Sequence, residues 1–319
     1  MMKRAFITGI TGMAGSYLAR HLISSGYEVH GLVRRLSKPN ISRIVDIIDH
    51  VKLHDGDLTD MSSILRIMIT NPFDEIYNLG AQSFVGTSWE QPILTAQVTA
   101  IGALNILESV RLVKSTARIY QASSSEMFGK VLEIPQKRST PFYPRSPYGV
   151  SKVFAHQMTI NYRESFDMFC STGICFNHEG PGRGLEFVTR KISNTVAKIK
   201  HGKTSELRLG NLEAKRDWGY VGDYVKAMHM ILQHREPLDI VIATGETHSV
   251  MEFVELAFDR AGLDWRKYVI VDPKLYRPAE VDLLLGDPKQ ASDVLGWKPS
   301  VTFHELVNMM VDDDLNLEA

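Results

Sequence analysis

The chain has 319 residues, 44% of them hydrophobic and 23% charged, with a formal net charge of −1, which suits two domains or one large α/β unit with an appended lobe. That near-neutral balance excludes a general electrostatic pull toward nucleic acid or an anionic membrane, so any phosphate binding has to come from local charge. No apolar run approaches the ~20 residues that span a bilayer, and the stretch behind the basic start Lys3-Arg4 breaks at Gly9 and Gly12, which speaks against a signal peptide.

In chain order, Arg4 to Thr8 reads as a short apolar strand. Met13 to Ser25 carries Tyr17, Leu18, Leu22 and Ile23 at helical spacing, and Glu28 to Val33 is a strand again. Further strands are expected at Val51 to Leu53, Glu75 to Leu79, Arg118 to Ala122 and Met168 to Phe176. Helices are expected between them at Met61 to Thr70, Thr95 to Leu112 and Tyr148 to Phe166. Such alternation predicts a parallel sheet covered by helices on both faces. Cys170 and Cys175 are the only cysteines. Their odd spacing in a strand sends them to opposite faces, so they are expected buried, unpaired and reduced, as in a cytoplasmic protein.

After about Asn177 the pattern loosens. Helices are expected at Glu186 to Lys200, Asp223 to Gln233, Ser249 to Ala261 and Thr302 to Val311, and Asp239 to Thr244 reads as a strand able to rejoin the main sheet. Asp312-Asp313-Asp314 reads most simply as a solvated tail. The result is an α/β chain with a smaller, mostly C-terminal, discontinuous lobe.

The first chemistry-bearing motif is Gly9-Ile10-Thr11-Gly12-Met13-Ala14-Gly15, G-x-x-G-x-x-G between the first strand and the first helix. Glycine there permits a tight turn and close backbone approach to a pyrophosphate, which the helix N-terminus attracts. Three spaced glycines alone are weak evidence; their place at the opening of a β-α-β unit raises their weight. The second strand ends in Arg34-Arg35 where an NAD site would carry a carboxylate. Guanidinium groups bind a ribose 2′-phosphate, so NADP is favoured over two merely solvated arginines. Asp57-Leu58 is placed to hold the adenine edge.

Tyr148-Gly149-Val150-Ser151-Lys152 puts a phenol and an ammonium four residues apart, on one face of a helix. The lysine cation is expected to lower the tyrosine pKa from its usual value of about 10, so that a phenolate can take an alcohol proton while hydride leaves. Upstream, Ser124 and Glu126 share a face if the backbone stays extended. The hydroxyl can bond the reacting oxygen and the carboxylate can serve a neighbouring carbon as acid or base. A plain alcohol dehydrogenase needs no such carboxylate, although a serine-rich turn with a solvated glutamate would look the same in isolation.

With these motifs placed, the chain resembles the extended short-chain dehydrogenase/reductase superfamily and, more narrowly, the GDP-mannose 4,6-dehydratase family. The likeness runs through Thr8 to Leu18, Val29 to Arg35, Asp57 to Asp60, Tyr77 to Ser83, Tyr120 to Gly129, Pro141 to Lys152, Phe187 to Ser193, Gly210 to Trp218, Ala243 to Gly245 and Tyr276 to Asp282. It implies a Rossmann-type doubly wound parallel sheet. Residues 1–176, rejoined by about 220–248, would bind NADP; 177–219 and 249–319 would form the nucleotide-sugar lobe. It also implies catalysis by Ser124, Glu126, Tyr148 and Lys152, with transient C4 oxidation of GDP-mannose, loss of water across C5 and C6, and hydride return to C6.

Carried over position by position, Gly9 to Gly15 (Thr11, Gly12, Met13 and Ala14 among them), Asp57, Leu58, Leu79, Gly80, Ala81, Gln82, Ser83, His178 and Arg183 would contact NADP. Ser83, Asn177, Lys191, Arg216, Arg277 and Glu280 would line the GDP-sugar site, with no metal. The family further implies a homodimer through Thr95 to Leu112 and Tyr148 to Phe166, or a homotetramer in which the Arg35 to Arg43 segment reaches a neighbour's cofactor.

The sequence departs from the family at three places. Serine stands at 124 for the usual threonine, and Met13-Ala14 for Gln-Asp. His178-Glu179-Gly180-Pro181-Gly182-Arg183 is closer to the H-x-G-P-G form of related 4-keto-6-deoxymannose reductases. A reductase, or a dehydratase that also reduces, is therefore the second reading. A non-catalytic NADP sensor is a third, opposed by the intact tetrad.

Overall fold

The computed structural model describes every residue except 1, 39, 277, 278, 280 and 282. Seven stretches pair into one parallel sheet: β1 (Arg4–Thr8), β2 (Glu28–Val33), β3 (Val51–Asp55), β4 (Glu75–Asn78), β5 (Arg118–Ser124), β6 (Cys170–Cys175) and β7 (Asp239–Ile242). Their spatial order is β7-β6-β5-β4-β1-β2-β3. The expected return strand does rejoin the sheet, pairing with β6 from Asp239 opposite Thr172 to Ile242 opposite Cys175.

The longer helices are α1 (Met13–Ser24), α2 (Met61–Thr70), α3 (Gly102–Leu112), α4 (Pro147–Phe166), α5 (Val188–Lys200), α6 (Val221–Gln233), α7 (Val250–Arg260) and α8 (Phe303–Glu318), of which α1 to α4 and α6 pack on the sheet. Strand side chains alternate between faces, and the sheet sorts them accordingly. Ile7, Tyr77 and Tyr120 pack with Leu18 and Leu22 of α1 and Val225 and Ile231 of α6. Their neighbours Phe6, Ile76 and Ile119 pack on the other face with Ile64 of α2, Ile106 of α3 and Tyr162 of α4. Each such buried side chain contributes roughly 1.5–3 kcal/mol relative to exposure. Cys170 and Cys175 fall on opposite faces, buried and unpaired, as their spacing required.

Local signals set the helix starts. The Asp60 carboxylate accepts from the Ser62 N–H at 3.0 Å to open α2. Ser146 accepts from Gly149 N at 3.0 Å, with Pro147 in the first turn of α4. Thr302 and Glu305 cap one another in a reciprocal box at the head of α8. Ahead of α3 the chain makes a wider π turn at Ala96–Ile101, so that Pro92–Leu112 runs on as one helical stretch of 21 residues. By length and composition this stretch could cross a membrane, contrary to the expectation from sequence that no run comes close. In the fold half of it is buried.

A second core gathers beyond the sheet, where Ile192 and Val196 of α5, Phe253 and Phe258 of α7, and Leu306 and Val311 of α8 close around Trp218. Trp218 stacks on Phe303 with ring centroids 5.8 Å apart. Asp217, fully buried, joins this core to the sheet: its carboxylate accepts from Thr244 N (2.8 Å), Thr244 Oγ1 (2.7 Å), Gly245 N (3.0 Å) and Gly286 N (3.2 Å).

The acidic run near the C-terminus is not a solvated tail. α8 continues through it to Glu318, and Asp314 is fully buried, accepting from Arg190 Nε at 2.7 Å and Ser193 Oγ at 2.6 Å on α5. Asp312 pairs with Arg260 at 2.7 Å.

Candidate active site

In the order above, β1 and β4 are neighbours from which the chain winds outward both ways, and a doubly wound sheet offers its crevice at the carboxyl ends of such strands. Here that crevice is a cleft of about 1170 Å³. One wall is the glycine turn. Gly9 has φ +71°, and a Cβ on it would lie 3.0 Å from the backbone of Gly80. A Cβ on Gly15 would lie 2.2 Å from Gly9 O, so only hydrogen lets α1 pack this tightly on the turn. Gly12, ahead of α1, provides no side-chain cap. The first N–H groups of the helix therefore face an anion-accepting mouth.

Thr11, Gly12, Met13, Ala14 and Gly15 all line the cleft, together with Arg34, Asp57, Leu58 and Leu79 to Ser83. This cradle fits a dinucleotide, with Arg34 as the cation suited to a ribose phosphate. Arg35 does not join it: its side chain is 87% exposed and lies 3.8 Å from Asp55. Two adjacent side chains leaving an extended segment diverge, so only one arginine of the pair can turn inward. Arg43, from the segment expected to reach a neighbour, closes on its own chain. Its Nε donates to Gly182 O at 2.6 Å and Nη1 to Thr11 O at 3.4 Å.

At the floor of the cleft, Ser124, Glu126, Tyr148 and Lys152 come together. The backbone after Ser124 does not stay extended; Ser125–Met127 is a 3-10 turn, and Ser124 Oγ accepts from Glu126 N at 3.2 Å. The turn, not strand alternation, brings Glu126 to the cleft. Ser124 also hydrogen-bonds Tyr148. Lys152 Nζ donates to Ala122 O at 2.7 Å and lies 5.7 Å from the centre of the Tyr148 ring.

These placements correct the expected acidity of the phenol. Burial pushes Tyr148 up to about 12, with the Glu126 charge adding to it and the Ser124 hydrogen bond opposing. Burial also pulls Lys152 down to about 8.

The far wall carries the expected sugar-nucleotide residues Asn177, Lys191 and Arg216, with His178 and Arg183 beside them. Asn177 Oδ1 is buried with no hydrogen-bond partner among the described residues, an acceptor suited to a hydroxyl or N–H. His178 is driven to about 4 by burial, so it is neutral; its Nδ1 lies 3.1 Å from Phe176 O, which leaves Nε2 as an acceptor. Arg183 lies 3.4 Å over the Phe187 ring and pairs with buried Glu179 at 2.9 Å, at an angle outside hydrogen-bond geometry. Arg277 and Glu280 lie outside the described residues. Trp89, Glu186, Trp218, Lys274 and Tyr276 line the cleft as well. Trp218 and Tyr276 fall in stretches that carried the resemblance, whereas Trp89 and Glu186 stood in no motif.

The arrangement matches known proteins. The family model described as GDP-mannose 4,6 dehydratase matches residues 6–310. The chain is 53% identical over 327 residues to GDP-mannose 4,6 dehydratase 2 of Arabidopsis thaliana, covering 99% of this chain and 87% of that one. It is 49% identical over 340 residues to the GDP-mannose 4,6 dehydratase of Homo sapiens, covering 98% and 91%. Among solved structures, RMD from Pseudomonas aeruginosa complexed with NADPH superposes with a TM-score of 0.83 at 24% identity, covering 99% and 100%, a likeness of fold. With its glycine turn, Tyr148/Lys152 pair and Glu126 in one cleft, the chain belongs to the GDP-mannose 4,6-dehydratase family.

Proposed function

We propose that this chain dehydrates GDP-mannose to GDP-4-keto-6-deoxymannose with NADP as a cofactor that is restored in every turnover. The observation that carries the reading is Glu126, a carboxylate in the cleft beside Ser124, Tyr148 and Lys152. Oxidation of an alcohol alone has no use for it; elimination does. NADP, when bound, supplies a site that takes a hydride from C4 and gives it back at C6.

In this reading Tyr148, as phenolate, accepts the proton of the C4 hydroxyl, with Ser124 holding the oxygen and Lys152 supplying positive charge nearby. The 4-keto group acidifies C5–H, and Glu126 removes that proton. The C6 hydroxyl leaves as water with a proton from Glu126. The proton held by Tyr148 returns to the sugar as hydride adds back, so the sequence is redox-neutral. The acceptor of Asn177 and the cations Lys191 and Arg216 would hold the nucleotide sugar; neutral His178 and Arg183 would contact the cofactor, with Arg34 on its ribose phosphate. The second core thereby serves as the nucleotide-sugar lobe.

The test is product identification by NMR from GDP-mannose with catalytic amounts of protein and no added NADPH. A 4-keto-6-deoxy sugar supports the reading; unchanged GDP-mannose in the presence of NADP overturns it. In a second arm, with NADPH added once the keto sugar has formed, its stoichiometric loss would establish the second activity suggested by the His178 to Arg183 loop.

We further propose a homodimer. Ile93, Gln97, Ile101 and Leu112 form an exposed stripe on the Pro92–Leu112 stretch, and Val150, Phe154, Gln157 and Asn161 form one on α4. Both follow helical spacing, and packing two copies stripe to stripe would cover them.

A further inference from the structure

Beneath the cleft, four hydrogen bonds join the cofactor turn to the carbonyl that holds Lys152. Gly80 N–H donates to Thr8 Oγ1 at 2.9 Å, and the Thr8 hydroxyl donates to Asn78 Oδ1 at 2.6 Å. Asn78 Nδ2 donates to Gln121 Oε1 at 2.7 Å, and Gln121 Nε2 donates to Ala122 O at 3.1 Å. Ala122 O is the same oxygen that accepts from Lys152 Nζ at 2.7 Å.

The direction of this chain is forced from both ends. A carbonyl can only accept, so Gln121 must turn its amide nitrogen to Ala122 and its oxygen to Asn78. Asn78 must then turn its nitrogen to Gln121 and its oxygen to Thr8. The Thr8 hydroxyl donates onward and is left to accept from Gly80 N–H, which can only donate. Every member points the same way, and bonds in such a series polarise one another. Thr8, Asn78, Gln121 and Lys152 are each 4% exposed or less, so water does not substitute for a missing link.

We infer that Asn78 and Gln121 are positioning residues for Lys152, fixing through Ala122 O where its ammonium sits relative to Tyr148. Neither amide lines the cleft, so neither touches substrate. Gln121 brings its nitrogen to the same oxygen as the ammonium, so its amide dipole and shape act on Lys152 at short range. Asn78 keeps Gln121 in the productive orientation and ties it to the turn that faces the cofactor.

The inference rests on the reading of Lys152 as part of the dehydration, and the parent protein with GDP-mannose is the control for that reading. If the parent makes no keto sugar, the proposed function fails, not the relay. Two variants test the relay in an active parent. Gln121→Glu keeps the volume but places a carboxylate beside the ammonium, and should move the basic limb of the turnover–pH profile upward by about one pH unit. Gln121→Leu, which removes the amide, should lower kcat by about tenfold or more while KM for GDP-mannose changes by less than about twofold. A purely structural role would lower the melting temperature of Gln121→Leu without the loss of kcat at unchanged KM. Parent-like kcat in folded Gln121→Leu overturns the proposal, and so do superimposable pH profiles for parent and Gln121→Glu, which decide if Gln121→Leu fails to fold.

Discussion

Glu126 sits where a single atom change is most informative. Glu126→Gln keeps the shape of the turn Ser125–Met127 and removes the base. Turnover of GDP-mannose should fall by ~10²–10⁴, while titration with GDP still shows binding; full turnover in this variant would contradict the assigned role. Lys152 sets a second expectation. Burial brings its ammonium down to about 8, so the charge is present below that pH and lost above it. The kcat profile should therefore decline as pH rises through about 8, and Lys152→Met should remove that limb along with most activity. Lys152 was legible in the sequence because its spacing from Tyr148 is local, one helical turn; Glu126 was singled out as well, but a 3-10 turn and not the expected extended backbone brings it to the cleft. The acidity of Tyr148 was not legible. It depends on burial, on the Ser124 hydrogen bond and on the Glu126 charge, and none of these is written in a four-residue motif. Arg35 shows the same limit, since a pair of arginines does not say which one turns inward.

Among the elements, the β1–turn–α1 unit is the least tolerant of added atoms. Gly15→Ala would set a methyl 2.2 Å from Gly9 O, against backbone that cannot rotate away. The expected cost is about 1–3 kcal/mol of stability, with NADP affinity falling further because the turn itself must shift. Thermal melts with and without NADP separate the two effects, and a variant with unchanged melting and unchanged NADP binding would show that the turn yields. The strands of this half were readable because apolar runs of four to seven residues alternate with helical periods, and their observed limits differ from expectation by a residue or two. The π turn at Ala96–Ile101 left no such trace, since a widened turn changes hydrogen bonding without changing the apolar spacing. Asp312 to Asp314 were misread for a related reason. A charge run looks solvated until a partner arrives, and Arg190 comes from 124 residues away.

For the whole molecule, the exposed stripes on Pro92–Leu112 and α4 predict an assembly that charge can break. Ile101→Asp with Phe154→Asp should convert a dimer to a monomer in sedimentation analysis, because each charge would be buried without a partner. A parent already monomeric at micromolar concentration would end that reading. The buried pair between Asp314 and Arg190 has a different consequence, for where the chain can be shortened. Arg190 also donates to Arg183 O at 3.4 Å, and Arg183 stands in the cleft. The final turns of α8 are thus a remote footing of the reaction chamber. Trimming after Asp313 would take the closest carboxylate from the buried Arg190 and leave it Asp313 at 3.9 Å and the Arg183 carbonyl, a loss on the order of 1–3 kcal/mol. The loss should register first as weaker binding of the sugar nucleotide and only later, on heating, as unfolding. Extensions added beyond Ala319 leave the pair intact and should be silent in both respects.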